Sequence, residues 1–186
     1  MTVLAVLGSR NPTGQTARAV QALLEGSTSQ GAQCEQVFLP EMKIERCRQC
    51  DENGWGDCRK EGHCVIEDDF ASIVNKLKKA HVAVFATPVY FGDLSESMRA
   101  FLDRLRRTCM HESGKAKIAN KSAIGICVAG GGGGGAPACA VSLEKYLSKC
   151  GFDVVDMMPV RRQNLDMKLN ILKATGKWLA KGVSIA

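Results

Sequence analysis

No apolar run in the 186-residue chain approaches the roughly 18 residues that cross a bilayer, which excludes a membrane-spanning helix. The first residues, Met1-Thr2-Val3-Leu4-Ala5-Val6-Leu7-Gly8, have no basic lead-in and no small-residue cleavage site. A secretory leader is therefore not expected, and the cytoplasm is the default compartment. Cysteine is too sparse for a disulfide scaffold, with nine residues, and an odd count does not close a framework of pairs. In a reducing compartment these are thiols, metal ligands or redox groups. No long basic stripe forms. Arg104, Arg106 and Arg107 close one helical segment and Arg161-Arg162 stands apart, so nucleic acid is not the expected partner. Internal repeats and an interdomain linker are also missing.

What is present is a globular composition, 45% hydrophobic and 24% charged, which excludes disorder as the main state. The net charge of +6 suits an anionic partner without naming one. Short, continuously apolar segments alternate with amphipathic ones. Residues 3–7, 32–39, 81–86, 123–129 and 152–158 read as strands, those at 3–7 and 81–86 buried on both faces. Helices are expected over 14–25, 67–79, about 93–107, about 137–149 and 165–181. The second opens on Glu67, Asp68 and Asp69 and closes on Lys76, Lys78 and Lys79, matching the helix dipole. In the third, Asp93 with Glu96 resembles a capping box, and Pro137 fits a first helical turn. Trp178 reads as packing on the last helix. Such alternation predicts one domain over 1–186. Its core is a five-stranded parallel sheet in the order 2-1-3-4-5, with helices on both faces and a ligand crevice beyond strands 1 and 3.

Three loops leave that edge. Gly8 to Thr16 joins a strand to a helix N-terminus, where backbone N–H groups form an anion cradle to which Ser9, Thr13 and Thr16 add hydroxyls. It carries Gly14-Gln15-Thr16 where a nucleoside triphosphatase needs Gly-Lys-Ser/Thr, and it lacks the Gly-x-Gly-x-x-Gly fingerprint. A phosphate monoester fits. The second loop, Thr87 to Gly92, offers aromatics to flank a flat ring or to plug the sheet edge. The third, Gly130 to Gly135, lets backbone approach a planar ligand, or serves only as a connector. Between residues 40 and 66 lies a long loop with four cysteines and no helical or strand period. Cys47, Cys50, Cys58 and Cys64, spaced x2, x7 and x5, are expected to form one site. An iron–sulfur cluster, structural zinc, a reversible disulfide and free thiols all remain open readings.

Elsewhere, Cys127 and Cys139 read as core, and Cys34, Cys109 and Cys150 have no informative spacing. His63 reads as a loop histidine rather than a metal ligand, His81 as the start of a strand and His111 as surface. Asp68-Asp69 reads as helix N-terminal charge. No Ser-His-Asp set or paired carboxylates are legible.

Gly8-Ser9-Arg10 through Thr16, Ala86 through Gly92 and Met98-Arg99-Ala100-Phe101-Leu102-Asp103-Arg104 together resemble the NADPH-dependent FMN reductase and iron–sulfur flavoprotein family. Cys47-Arg48-Gln49-Cys50 and Cys64 to Asp69 are similar to its cysteine loop, although Asn53 stands where the third cysteine falls. The resemblance implies a flavodoxin-like fold and bound FMN. It assigns Ser9, Asn11, Thr13, Gly14, Gln15 and Thr16 to the phosphate. Thr87, Pro88, Val89, Tyr90, Phe91 and Gly92 fall on one side of the isoalloxazine, and Gly130, Gly131, Gly132 and Gly133 at its other edge. The expected activity passes electrons from NAD(P)H through FMN to a small acceptor such as a quinone or flavin. The alternatives are a carrier working with a ferredoxin-like partner, in which the cysteine loop holds a 4Fe–4S cluster, and a sensor that uses the loop without turnover. A homodimer or homotetramer is implied.

Overall fold

The computed structural model describes residues 1–182; the last four residues of the unit expected over 1–186 lie outside them. Strand β1 (Thr2–Leu7) leads to helix α1 (Gln15–Thr28) and strand β2 (Gln33–Phe38), which ends in a 3-10 turn at Leu39–Glu41. The cysteine-rich loop follows, interrupted by the one-turn helix α2 (Asp57–Lys60). Then come α3 (Phe70–Lys79), β3 (Val82–Pro88), α4 (Glu96–Thr108), a second one-turn helix α5 (Glu112–Lys115) and β4 (Ser122–Ala129). The chain continues with α6 (Ala136–Cys150), β5 (Asp153–Arg161), a 3-10 turn at Arg162–Asn164 and α7 (Leu165–Ala180). The expected elements are all there. The short helices α2 and α5 were not legible, because a single turn carries no periodicity.

The five strands pair in parallel in the order β2-β1-β3-β4-β5. Alternation along β1 shows why its apolar run is continuous. Leu4 and Val6 join the core formed with α3, α4 and α6, while Val3, Ala5 and Leu7 join the one formed with α1 and α7. Both faces are dry, so neither accepts a polar residue.

Two helix starts differ from the sequence expectation. Ser95, not Asp93, caps α4, and its hydroxyl accepts the Met98 N–H. Asp93 lies outside the helix and pairs with Arg99. Helix α3 begins at Phe70, and the carboxylates before it have other partners, described below. Helices α1 and α7 cross in backbone contact. A Cβ on Gly176 would fall 1.9 Å from the Leu23 carbonyl oxygen, and one on Gly26 would fall 2.1 Å from that of Lys173. Trp178 is half-exposed, so Leu172, Gly176 and Leu179, rather than the indole, make this contact.

Candidate functional site

The loop after β1 is shaped by its own side chains. Asn11 Oδ1 accepts from the Thr13 N–H at 3.0 Å and from its hydroxyl at 2.9 Å. This local turn delivers Gly14 to the start of α1, which has no side-chain cap and no acid in its first turn. The first N–H groups and the positive end of the dipole are thus left for a ligand. Thr16 on that turn is buried, and Gln15 Oε1 is buried with no hydrogen-bond partner.

A cavity of about 470 Å³ opens here, within the range of cofactor sites. Ser9, Gln15 and Thr16 line it from the first loop, and Pro88, Val89 and Tyr90 from the second. Val128 and Ala129, at the end of β4, complete the lining with Gly130, Gly131 and Gly134. Nothing lies within 4 Å of a Cβ built on those three glycines. A flat ligand therefore meets bare backbone there.

Other expected members stand behind this lining. Asn11, Thr13 and Gly14 shape the loop. Thr87 is fully buried, with its Oγ accepting the Ser95 N–H at 3.0 Å and donating to the Pro88 carbonyl at 2.9 Å. Gly92 packs against Gly135. Gly132 accepts from Gln163 Nε2 at 3.1 Å, and a Cβ on Gly133 would strike the same glutamine. The glycine run is therefore a tied turn rather than a loose connector. Phe91 is fully exposed at a φ of +51°, a left-handed conformation unusual for an aromatic residue. Val128, Ala129 and Gly134 were missed by the sequence reading. They follow directly from the strand that ends at the crevice.

The four loop cysteines share one pocket, lined also by Trp55, Arg104 and Arg107. Its enclosed volume is about 20 Å³, room for one water. Burial, followed by the proximity of Cys64, Cys47 and Cys58, pushes the Cys50 thiol up. Among the described residues no three His, Cys, Asp or Glu side chains already stand in a metal-ligating arrangement. The thiols face one space without closing on a common point.

What holds this loop extends the reading of Asp68-Asp69 as helix charge: Asp68 accepts the Phe70 N–H at the start of α3 at 3.1 Å, and it has further partners. Asp68 accepts both Nη groups of Arg104, at 2.6 and 3.0 Å, with both side chains buried. It also accepts the Glu45 N–H at 2.8 Å, and Asp69 accepts that of Lys43 at 2.7 Å. Arg104 reaches further, to the carbonyls of Glu45 and Ile66, and stacks on Phe70 with its guanidinium carbon 4.2 Å from the ring centre. Burial alone would raise the Asp68 carboxyl. The Arg104 hydrogen bonds and the N–H groups of Glu45 and Phe70 outweigh it and hold that carboxyl below the usual range. The sequence held one signal for Arg104: it falls three residues after Phe101 and one before Leu105, on the buried stripe of α4.

The remaining candidates fall as read. Cys127 and Cys139 are buried, as are Cys109 and Cys150, and Cys34 is half-buried. His63 stands on the loop beside Glu61, His81 accepts from Thr2 just before β3, and His111 caps α5.

With this geometry in view, relatives are informative. An iron–sulfur flavoprotein of Methanocaldococcus jannaschii is 30% identical over 131 residues, 70% of this chain and 65% of the relative. One from Methanosarcina thermophila is 29% identical over 104 residues, 56% of this chain and 52% of the relative. The chain thus spans between about half and two-thirds of the length of these curated relatives. Among solved structures, an NAD(P)H:quinone oxidoreductase from Methanothermobacter marburgensis superposes with a TM-score of 0.72 at 18% identity, covering 96% of each chain. A flavodoxin from the domain Archaea gives 0.62 at 15% identity, covering 97% of each. These two agree with the fold derived above, and no described helix is long and apolar enough to cross a membrane. The family model described as NADPH-dependent FMN reductase matches residues 1–164, and the chain belongs to that family.

Proposed function

We propose that this chain is an FMN-dependent oxidoreductase that takes electrons from NAD(P)H and passes them to a small acceptor such as a quinone or free flavin. The observation that carries this reading is the uncapped, acid-free start of α1 opening with bare glycine backbone into one cavity. When bound, FMN supplies hydride acceptance from the nicotinamide and electron delivery to the acceptor. The first N–H groups of α1, with Ser9 and Thr16, hold the phosphate on neutral donors, while Asn11, Thr13 and Gly14 keep that loop in shape. Gln15 Oε1 receives a donor from the ligand. Pro88, Val89, Tyr90 and the Gly130–Gly134 backbone exclude water from the two sides of the ring, and Thr87 and Gly92 fix the second loop behind it. A second copy covering Tyr90 and Phe91 would make a homodimer or homotetramer. The cytoplasm suits the nine thiols, and residues 1–186 act as one unit.

Purified protein should show a flavin spectrum that anaerobic NADPH bleaches. Flavin that NADPH leaves oxidised and reduced ferredoxin bleaches would make the protein a carrier, and absence of flavin would end both readings. Replacing Thr16 with valine should weaken FMN binding roughly ten- to hundredfold, the worth of one hydrogen bond to a charged group, about 1.5–3 kcal/mol. Fluorescence titration of the apoprotein measures it, and an unchanged dissociation constant removes Thr16 from the phosphate site.

The carrier reading, with a ferredoxin-like partner, is favoured by one observation: four thiols line one pocket. Under it Cys47, Cys50, Cys58 and Cys64 hold a 4Fe–4S cluster. Anaerobically prepared protein then contains about four iron and four acid-labile sulfide per chain. Cys50→Ser abolishes both while FMN stays bound. Flavin without iron, from iron-supplied cells and protein kept from air, removes the cluster and leaves a flavin reductase.

A further inference from the structure

Two arginines of α4 stand in the wall of the cysteine pocket, and each keeps one donor in reserve. Arg104 is 1% exposed, and its terminal nitrogens donate to Asp68 and to the carbonyls of Glu45 and Ile66. Its Nε–H is buried with no hydrogen-bond partner, while the guanidinium already stands beside the Cys64 sulfur. Arg107 repeats the pattern one turn on. Its Nη1 donates to the Gly54 carbonyl at 2.5 Å, its guanidinium lies 4.6 Å from the Trp55 ring centre, and its Nε–H is likewise buried and unanswered. Residues three apart share a helix face, so both reach the same loop.

Buried donors without acceptors are rare, and each asks for an explanation such as a missing ion or water. Here two occur in the wall of one pocket whose other polar groups include four sulfurs. The charges are unequal. Arg104 is neutralised by Asp68, whereas the carbonyl and indole that hold Arg107 are both uncharged. The lining also carries Arg48, paired with Glu45, and Asp57. With four thiols, two idle N–H donors and the Arg107 charge, it suits a group that accepts hydrogen bonds through sulfur.

We infer that Arg104 and Arg107 form the donor wall of that site: their Nε–H groups bond the sulfurs of the group held by the four cysteines, and the Arg107 charge stabilises its reduced, more negative state. This rests on the cluster reading above. In the test below dithionite would supply the one electron that reduces the held group, and no bond is made or broken at Arg104 or Arg107. Hydrogen bonds to sulfur and nearby charge are the protein's levers on such a potential. Arg107 is thus a positioning residue that sets the potential, with no contact to the flavin chemistry.

The test is a dithionite titration of the anaerobic full-length protein, followed by electron paramagnetic resonance, for wild type, Arg107→Gln and Arg107→Lys. Glutamine removes the charge and should move the midpoint to a more negative value. The expected change is about tenfold in the reduced-to-oxidised ratio, which is 59 mV for one electron. Lysine keeps the charge, loses the Nε–H and should shift the midpoint less, in the same direction. Midpoints unchanged in both variants, with iron retained, overturn the inference and leave the cluster standing. Iron-free wild type overturns both. If only the glutamine variant loses its iron, the lysine midpoint decides by the same criterion. Loss of iron from both variants with FMN still bound overturns the potential-setting role and makes Arg107 a loop anchor only.

Discussion

Replacing Asp68 with alanine is expected to remove about 3–5 kcal/mol of folding stability, the cost of leaving a buried arginine without its carboxylate. Arg104 and Asp68 are 1% and 0% exposed, so no solvent takes over the charge. At roughly 2–4 °C per kcal/mol for a chain of this size, a melting curve reads the loss directly. A drop under 1 kcal/mol would mean that water enters and that the pair is not a clamp. The double change Asp68→Leu with Arg104→Met should recover only part of the loss, because the Glu45 N–H and the Glu45 and Ile66 carbonyls lose their partners as well. The pH dependence has a defined sign. The folded carboxyl titrates below its ordinary value. Its contribution is therefore complete above the unfolded carboxylate pKa and disappears as pH falls through the lower, folded one. Asp68→Asn should lack that acid limb.

Gly176→Val should cost about 3 kcal/mol, the upper end for overpacking or beyond it. The new side chain meets the Leu23 carbonyl and the Ser27 N–H, which are backbone groups and do not rotate away. The close approach also carries a bond from Ser27 Oγ to the Gly176 carbonyl at 3.1 Å, so separating the helices would strand a buried hydroxyl. Exposed Lys177→Ala, one residue on, is the control and should fall within about 0.5 kcal/mol. Equal denaturation midpoints for the two variants would contradict the crossing described here.

Strand order and both helix layers were legible because a parallel sheet buried on two faces leaves uninterrupted apolar segments such as Val82 to Ala86, which few other structures require. The crevice followed from topology, and with it Ser9, Thr16 and the glycine run. Individual roles were less legible. Asn11 and Thr87 are polar residues in a ligand loop, and nothing in their identity separates a side chain that faces the cavity from one that ties the loop behind it. Asp68 illustrates the same ambiguity. A carboxylate just before a helix has one appearance whether it serves the dipole or a remote arginine, and only the fold brings Arg104, 36 residues away, to it. The cap of α4 falls on Ser95, two residues after Asp93, because the strand end sets Ser95 against Thr87. Orphaned donors such as Arg107 Nε have no sequence signature, since they are defined by what does not surround them.

Helix α4 touches both chemically distinctive loops. At its first turn Ser95 meets Thr87, and the Ser97 hydroxyl donates to the Gly8 carbonyl at 3.2 Å, beside the cavity at the start of α1; a Cβ on Gly8 would lie 2.4 Å from Ser95 Oγ. Nine residues after the cap, Arg104 grips the cysteine loop. At 1.5 Å per residue the helix acts as a ruler of about 14 Å between the two places. A ruler of this kind has a phase as well as a length. One residue inserted between Ser97 and Arg104 would turn the arginine about 100° away from Asp68 while leaving the Ser95 end in register. Spacing and angular setting are therefore inherited together, and chain-length variation in this segment is tolerable only where both are restored.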